Sequence, residues 1–245
     1  MAVTALVEPR RTAEREWAAC RRPATLPEMT WPAGRIVVVA PHPDDETLAL
    51  GGTLNRFARE GRDVTVVGVT DGEASHPRSP TTTRSALGER RSRERLAALE
   101  RLGLSRAEVV RFGEPDGGVQ APALVSRLAE ILRGAALCLA PWRHDGHPDH
   151  DAAGEAVAEA ALRTGVPFAE YLVWTWHWAR PHSDDVPWER ARRSSFDDES
   201  GRAKAHAVSA YVSQIAPLSD RAGDEAILDE EMLAHFRRSF EIVLV

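Results

Sequence analysis

Cysteine is almost absent from this 245-residue chain: Cys20 and Cys138 stand far apart, and neither belongs to a Cys-x-x-Cys pair. That argues against a disulfide framework and for two thiols kept reduced in a cytosol. Long apolar runs are missing as well. None reaches the ~18 residues that a membrane-crossing helix needs. The N-terminal stretch lacks the apolar core of a secretory signal, and its charges arrive too early. A cytoplasmic protein without a membrane partner is therefore expected. Excess basic charge is missing too, with a net charge of -6 and a pI near 5.9. No basic stripe appears, so nucleic acid is not an expected partner. There is no internal repeat and no low-complexity segment. One α/β-sized domain over 35–245, preceded by a charged, proline-containing arm over 1–34, is the expected organisation.

What the chain does have is Ile36 to Leu54, IVVVAPHPDDETLALGGTL. The β-branched run Ile36 to Val39 has the length of a buried strand. Pro41 and Pro43 cannot donate ladder hydrogen bonds and stop it. Asp44 or Asp45 then stands where a helix takes an N-cap acceptor. One His and two Asp are thereby held at the C-terminal end of a strand, where open α/β sheets place their ligands.

The same sequence of strand, polar loop and helix recurs. Strands are expected over 63–69, 108–112 and 136–140, with helices over 47–60, 88–102, 121–133 and 151–163. Polar clusters follow the strands at Thr70-Asp71-Gly72-Glu73, Glu114-Pro115-Asp116-Gly117-Gly118 and Pro141 to His150. Repetition of this kind means parallel βαβ units with right-handed crossovers. The expected fold is a three-layer α/β (αβα), Rossmann-like domain with a mostly parallel sheet and its site on the C-terminal rim. Beyond it, 168–178 reads as β-rich, 179–199 as a long polar insertion, 202–212 and 225–238 as helical, and 240–245 as a last strand.

His42, Asp45 and His150 carry the chemistry. His-x-x-Asp at a helix start lets both side chains converge, and a His from a neighbouring rim loop completes three ligands. Two imidazoles and a carboxylate with an open fourth position suit a catalytic zinc, which would bring its water's pKa to about 7. Asp44, adjacent and not a ligand, is placed to take a proton. His147 can stand across the cavity and stabilise an oxyanion as an imidazolium, with Asp149 orienting its ring. A single His-Pro-Asp at a helix start usually means only a cap. Two of them, His42-Pro43-Asp44-Asp45 and His147-Pro148-Asp149-His150, on successive rim loops point to a site. Trp142, within the second loop, is expected in the pocket wall. Trp174, Trp176 and Trp178 alternate as on a strand face, where core packing is the expectation. His144, His177 and His182 lack ligand spacing.

These motifs resemble those of the LmbE-like, or PIG-L, family of zinc-dependent N-acetylglucosaminyl deacetylases. The resemblance rests on Ala40 to Glu46 (APHPDDE), Gly51-Gly52, Thr70 to Glu73, the spaced Arg91, Glu94, Ala98, Leu102 and Gly103, Pro115 to Gly118, and His147 to His150. It extends more weakly to Lys204, His206, Ser213 and Gln214. It implies Zn²⁺ on His42, Asp45 and His150, Asp44 as general base, and His147 stabilising the tetrahedral intermediate. It places Arg91 and Asp116 against the sugar, and makes His206 a pocket candidate. The implied partner is a small N-acetylated sugar conjugate, such as a thiol precursor or an antibiotic glycoside. The segment 180–199 matches nothing in the family and would set substrate choice if it overhung the site. The competing class is a non-heme iron oxygenase, which also uses two His and one carboxylate. Those sites favour His-x-Asp on a β-sandwich, whereas this chain alternates strand and helix.

Overall fold

A computed structural model describes residues 11–245. The first ten residues of the expected arm lie outside the described residues.

Four βα units come first: β1 (Ile36–Ala40), α2 (Asp45–Arg59), β2 (Val64–Thr70), α3 (Arg84–Arg101), β3 (Glu108–Glu114), α4 (Ala121–Leu132), β4 (Leu137–Pro141) and α5 (Pro148–Thr164). They follow a short helix, α1 (Glu14–Ala19). With β5 (Phe168–Tyr171) these strands form a parallel set; β7 (Phe240–Leu244) joins it antiparallel to β5, and β6 (Ala191–Ser195) pairs antiparallel with β7 at the edge. The seven strands lie in the order β3-β2-β1-β4-β5-β7-β6. The chain runs outward from β1 through β2 and β3, then crosses back to β4 on the other side. The strand order therefore reverses between β1 and β4, and a crevice opens there above the strand ends.

Every residue of β1 is buried, and its side chains divide by period two. Ile36 and Val38 join one core with α2, α3 and the C-terminal segments. Val37 and Val39 join a second with α4 and α5. Helices thus cover both faces in three layers, as the alternation predicts. The segment before β1 is part of the first core: Trp17 is buried edge-on against Trp176 at 5.0 Å, and its indole N–H donates to the Trp176 carbonyl at 2.8 Å.

The C-terminal part differs from its expected form. The β-rich run 168–178 is a strand only to Tyr171, and Thr175–Trp178 is a helical turn, α6. The expected insertion 179–199 contains β6, which pairs with β7 from Ala191↔Leu244 to Ser195↔Phe240. The helix expected over 225–238 is only Glu230–Ala234, α9. Between them lie α7 (Asp198–Val208) and α8 (Val212–Ile215). Gly51 serves the α2–α7 contact, since a Cβ there would sit 2.8 Å from Lys204 Cγ, and Gly52 makes room for the Phe196 ring just before α7. Glu241 of β7 ties the same contact together: it accepts from Gly52 N, Thr53 N and the ammonium of Lys204 at 2.7–2.9 Å.

Candidate metal and active site

The β1–α2 turn packs chemistry into four residues. Asp44 occupies the N-cap position of α2, yet its carboxylate caps nothing. Its φ of 149° makes it the one non-glycine residue with positive φ among the described residues. A conformation of this kind costs about 1–3 kcal/mol and persists only where the surroundings impose it. Arg91 of α3 does so here. It donates to Asp44 Oδ2 at 3.1 Å, to the Pro43 carbonyl at 3.2 Å and to the Gly72 carbonyl at 2.8 Å. Gly72 must be glycine for the guanidinium to reach it: its φ is +66°, and a Cβ would lie 2.2 Å from Arg91 Nη1.

Asp45 turns its carboxylate back over the loop, where Oδ2 accepts from His42 N at 2.8 Å. The same oxygen lies 3.4 Å from His42 Nδ1 and 3.2 Å from His150 Nε2. The two nitrogens are 3.3 Å apart. Three donor atoms thus form a nearly equilateral triangle across the β1/β4 switch point. Metal–ligand bonds of 2.0–2.1 Å at tetrahedral angles place ligand atoms about 3.3 Å from one another, so the residues fit zinc. Two other groups could also hold a metal: the ligand atoms of His42, His147 and His150, and those of His42, Asp116 and Asp149, lie within 4.8 Å of one another.

The outward nitrogens of both histidines meet carboxylates. His150 Nδ1 lies 2.8 Å from Asp145 Oδ2. His42 Nε2 lies 3.1 Å from Asp149 Oδ2 and 3.2 Å from Asp116 Oδ1. Such partners fix tautomer and ring orientation and typically carry 10- to 100-fold in metal affinity. Asp149 therefore differs from its expected part. Its carboxylate also accepts from Gly117 N and Val119 N and does not touch the His147 ring. It steadies His42. Asp145 is the residue that sequence reasoning missed. Fully buried, it accepts further bonds from Val173 N, Trp174 N, Thr175 N and Thr175 Oγ1. One carboxylate thus joins the β4–α5 loop to the start of α6.

Burial opposes charge throughout, and the partners decide the outcome. Despite burial, hydrogen bonds to Asp116, Asp149 and Asp45 hold His42 well above the usual histidine range. Against the same penalty, Asp45 and Asp145 raise His150 to about 9. Asp45, facing His150 and His42, is held well below the carboxylate range. The triangle thus attracts positive charge. Asp44 is pushed up to about 7 by burial, with Arg91 pulling the other way. His147 is pushed down to about 4 by burial and by the charges of His42 and His150. Burial, and the charges His42 and His150 carry without a metal, favour its neutral form over the expected imidazolium. Its Nδ1 accepts from Asp149 N at 3.2 Å, so the proton sits on Nε2.

His42, Asp44, Asp45, Arg91, Asp116 and His147 line a cavity of about 330 Å³. The opposite wall comes from the C-terminal part: Trp174, His177, Gln214, Ile227, Leu228, Met232 and Phe236. Trp174 stacks on His147 with centroids 5.7 Å apart. Trp174, expected in the core, stands in this wall because 175–178 is a helical turn and not strand, while His177, which lacks ligand spacing, lines the cavity outside the donor triangle. Two expected pocket residues lie elsewhere. Trp142 packs in the core and on Trp178, lining a different groove with Arg22 and Trp188. His206 is exposed on α7, and its ring does not line the cavity. No residue of 180–199 lines it either.

Fold and site together define an α/β protein with a three-donor group able to bind a metal at the sheet's switch point. A family model, PIG-L (GlcNAc-PI de-N-acetylase), matches residues 37–161, just over half of the chain. The chain belongs to the PIG-L family. It is 30% identical over 244 residues to a 1D-myo-inositol 2-acetamido-2-deoxy-alpha-D-glucopyranoside deacetylase of Rhodococcus erythropolis, covering 76% of this chain and 83% of that protein. It is 30% identical over 131 residues to a probable N-acetyl-alpha-D-glucosaminyl L-malate deacetylase 2 of Bacillus anthracis, covering 51% of this chain and 58% of that protein. Against some curated relatives, then, the chain spans little more than half their length. The crystal structure of Dbv21, an A40926 pseudoaglycone deacetylase, superposes with a TM-score of 0.62 at 24% identity, over 87% of this chain and 97% of that one, which speaks for the fold. Among the described residues, no helix is long and apolar enough to cross a membrane.

Proposed function

We propose that this protein is a zinc-dependent hydrolase that removes an acetyl group from an N-acetylated amino-sugar conjugate. The observation that carries the reading is the donor triangle of His42, Asp45 and His150, open to a cavity beside Asp44, which does not belong to it. A zinc ion held there supplies a Lewis-acidic centre that activates water near neutral pH.

The chain's own residues do the rest. Asp44, tuned towards neutrality and held by Arg91, accepts the proton of the water that attacks the acetyl carbonyl. It then passes that proton to the departing amine. His147 offers its Nε2 proton to the carbonyl oxygen as negative charge develops there. A neutral ring can serve, since it donates a hydrogen bond and keeps its proton. Asp116 and the rim of Arg91 face the cavity where a sugar would sit. Acetate and the free amino sugar leave. Two buried free thiols suit a reducing cytoplasm as the place of action. The parallel sheet and the family membership favour this hydrolase over an iron oxygenase.

The test is amine release from a panel of N-acetylglucosaminyl conjugates, with zinc-loaded and chelator-treated protein side by side. Release that stops with the chelator and returns with zinc is expected. Oxygen consumption without amine release would replace the hydrolase by the oxygenase.

A further inference from the structure

The cavity has two unlike walls. The metal-side wall carries carboxylates from Asp44, Asp45 and Asp116, and one guanidinium, Arg91. Its two terminal nitrogens already bond Asp44, Pro43 and Gly72, and only its buried Nε has no partner. Among the described residues lining the cavity there is no other Arg or Lys. The facing wall is built from Trp174, Ile227, Leu228, Met232 and Phe236, with Gln214 and His177 as its polar members. His177 is pushed down to about 4 by burial and by His235, so it adds no cation at pH 7. Behind Phe236 lies a second cavity of about 380 Å³, which Phe236 shares with Phe196, Val208, Ile215 and Leu233. Phe236 thus lines both the catalytic cavity and this second one, whose apolar residues stand beside Lys204, Arg237 and Arg238.

We infer that the substrate of this site is an amino sugar bearing a neutral, apolar substituent, which lies along the Leu228–Met232–Phe236 wall. The inference rests on the deacetylase reading and sharpens its substrate class. An anionic conjugate would meet three carboxylates and an Arg91 whose terminal nitrogens already bond Asp44, Pro43 and Gly72, so its charge would be desolvated with little to pair it. A polyol conjugate would leave several hydroxyls against Leu, Met and Phe, where each unpaired group is penalised. An alkyl or aryl group gains from the same surface. The substituent can sit on the anomeric oxygen or be the acyl chain on nitrogen, and both are apolar chemistry on one sugar.

The experiment compares kcat/KM for hexyl N-acetylglucosaminide, methyl N-hexanoylglucosaminide, N-acetylglucosaminyl inositol and N-acetylglucosaminyl malate, with methyl N-acetylglucosaminide as reference. One hexyl-bearing arm should exceed the reference by about tenfold or more, because apolar pockets discriminate by 10- to 200-fold per group. Which arm gains tells whether the wall receives the aglycone or the acyl chain. The inositol and malate conjugates should fall at or below the reference. An inositol or malate conjugate that outruns both hexyl arms overturns the inference and leaves the deacetylase intact. If nothing is turned over, the deacetylase reading fails. Calorimetric binding of hexyl glucosaminide against glucosaminyl malate still decides the wall's preference: tighter hexyl binding with a negative heat-capacity change supports it, and equal or weaker binding overturns it. Ile227→Arg, at a half-exposed position that tolerates charge, should shift the preference towards malate by about tenfold.

Discussion

The two parts of the cavity come from two kinds of chain. Residues 36–164 are four regular βα units whose loops all end on one rim, and they bring every polar group of the metal side. Residues 165–245 are short strands and short helices, joined by turns, that complete the sheet and add the apolar wall. In the first part, residues that act together are close in sequence: His42 with Asp45, and His147 with His150. In the second, the wall is gathered from Trp174, Gln214, Ile227 and Phe236, spread over some sixty residues of chain. Chemistry that needs fixed angles between neighbouring side chains is written in compact motifs. Shape and apolarity can be assembled from anywhere, and the wall leaves no motif behind.

Substitutions on either side should therefore fail in different ways. The largest effect is expected on the metal side. Asp44→Asn should lower kcat by about 10²- to 10⁴-fold while the metal stays bound, as turnover assayed alongside zinc content would show. Near-normal turnover would remove Asp44 from the proton path.

Asp145 belongs to both parts, and its loss should show in both. Asp145→Asn presents an amide where His150 Nδ1 and Trp174 N both donate. Zinc affinity, measured by chelator competition, should weaken by about 10- to 100-fold. An unchanged affinity would mean that Asp145 only braces the loop.

On the wall, a milder and different change is expected. Trp174→Ala removes the ring stacked on His147 but no proton carrier. KM should rise by roughly tenfold with kcat changed much less, the pattern for lost uniform binding. Equal falls in kcat and kcat/KM would instead place Trp174 in the transition-state machinery.

The smallest effect concerns how the wall is braced. Burial raises Glu14, but hydrogen bonds to Arg238 and His235 outweigh it, so the group lies below its ordinary value of 4.5. A carboxylate depressed in the folded state stabilises above its unfolded pKa and loses that contribution as pH falls through the folded one. Thermal stability should therefore decline below about pH 4.5, and Glu14→Gln should flatten part of that decline. An identical pH profile for the variant would show that the Glu14 cluster contributes nothing to it.

The same division governed what could be read from sequence. The βα units were legible because Val and Ile runs, Pro stops and glycine caps agree with one another there. The strand, turn and helix around His42 follow from a handful of residues. Asp145 was not legible, because its role depends on backbone N–H groups from Val173 to Thr175 that the chain reaches only after another helix and strand. Trp142 shows the converse error: it sits in the metal loop, yet its side chain points into the core. The alternation of Trp174, Trp176 and Trp178 imitates a strand, and tertiary packing around Asp145 and Trp17 made it a helical turn. Burial first, and then the neighbouring His42 and His150, work against the imidazolium expected at His147, and neither is visible in the sequence.

The central claim is the position of the metal. The most direct measurement is anomalous diffraction at the zinc edge from crystals of the zinc-loaded protein. One site per chain is expected, about 2.0–2.2 Å from His42 Nδ1, an Asp45 carboxylate oxygen and His150 Nε2, with the remaining position open to the cavity. Zinc bound instead on the Asp116–Asp149 side of His42, or no ordered zinc at all, would contradict the account.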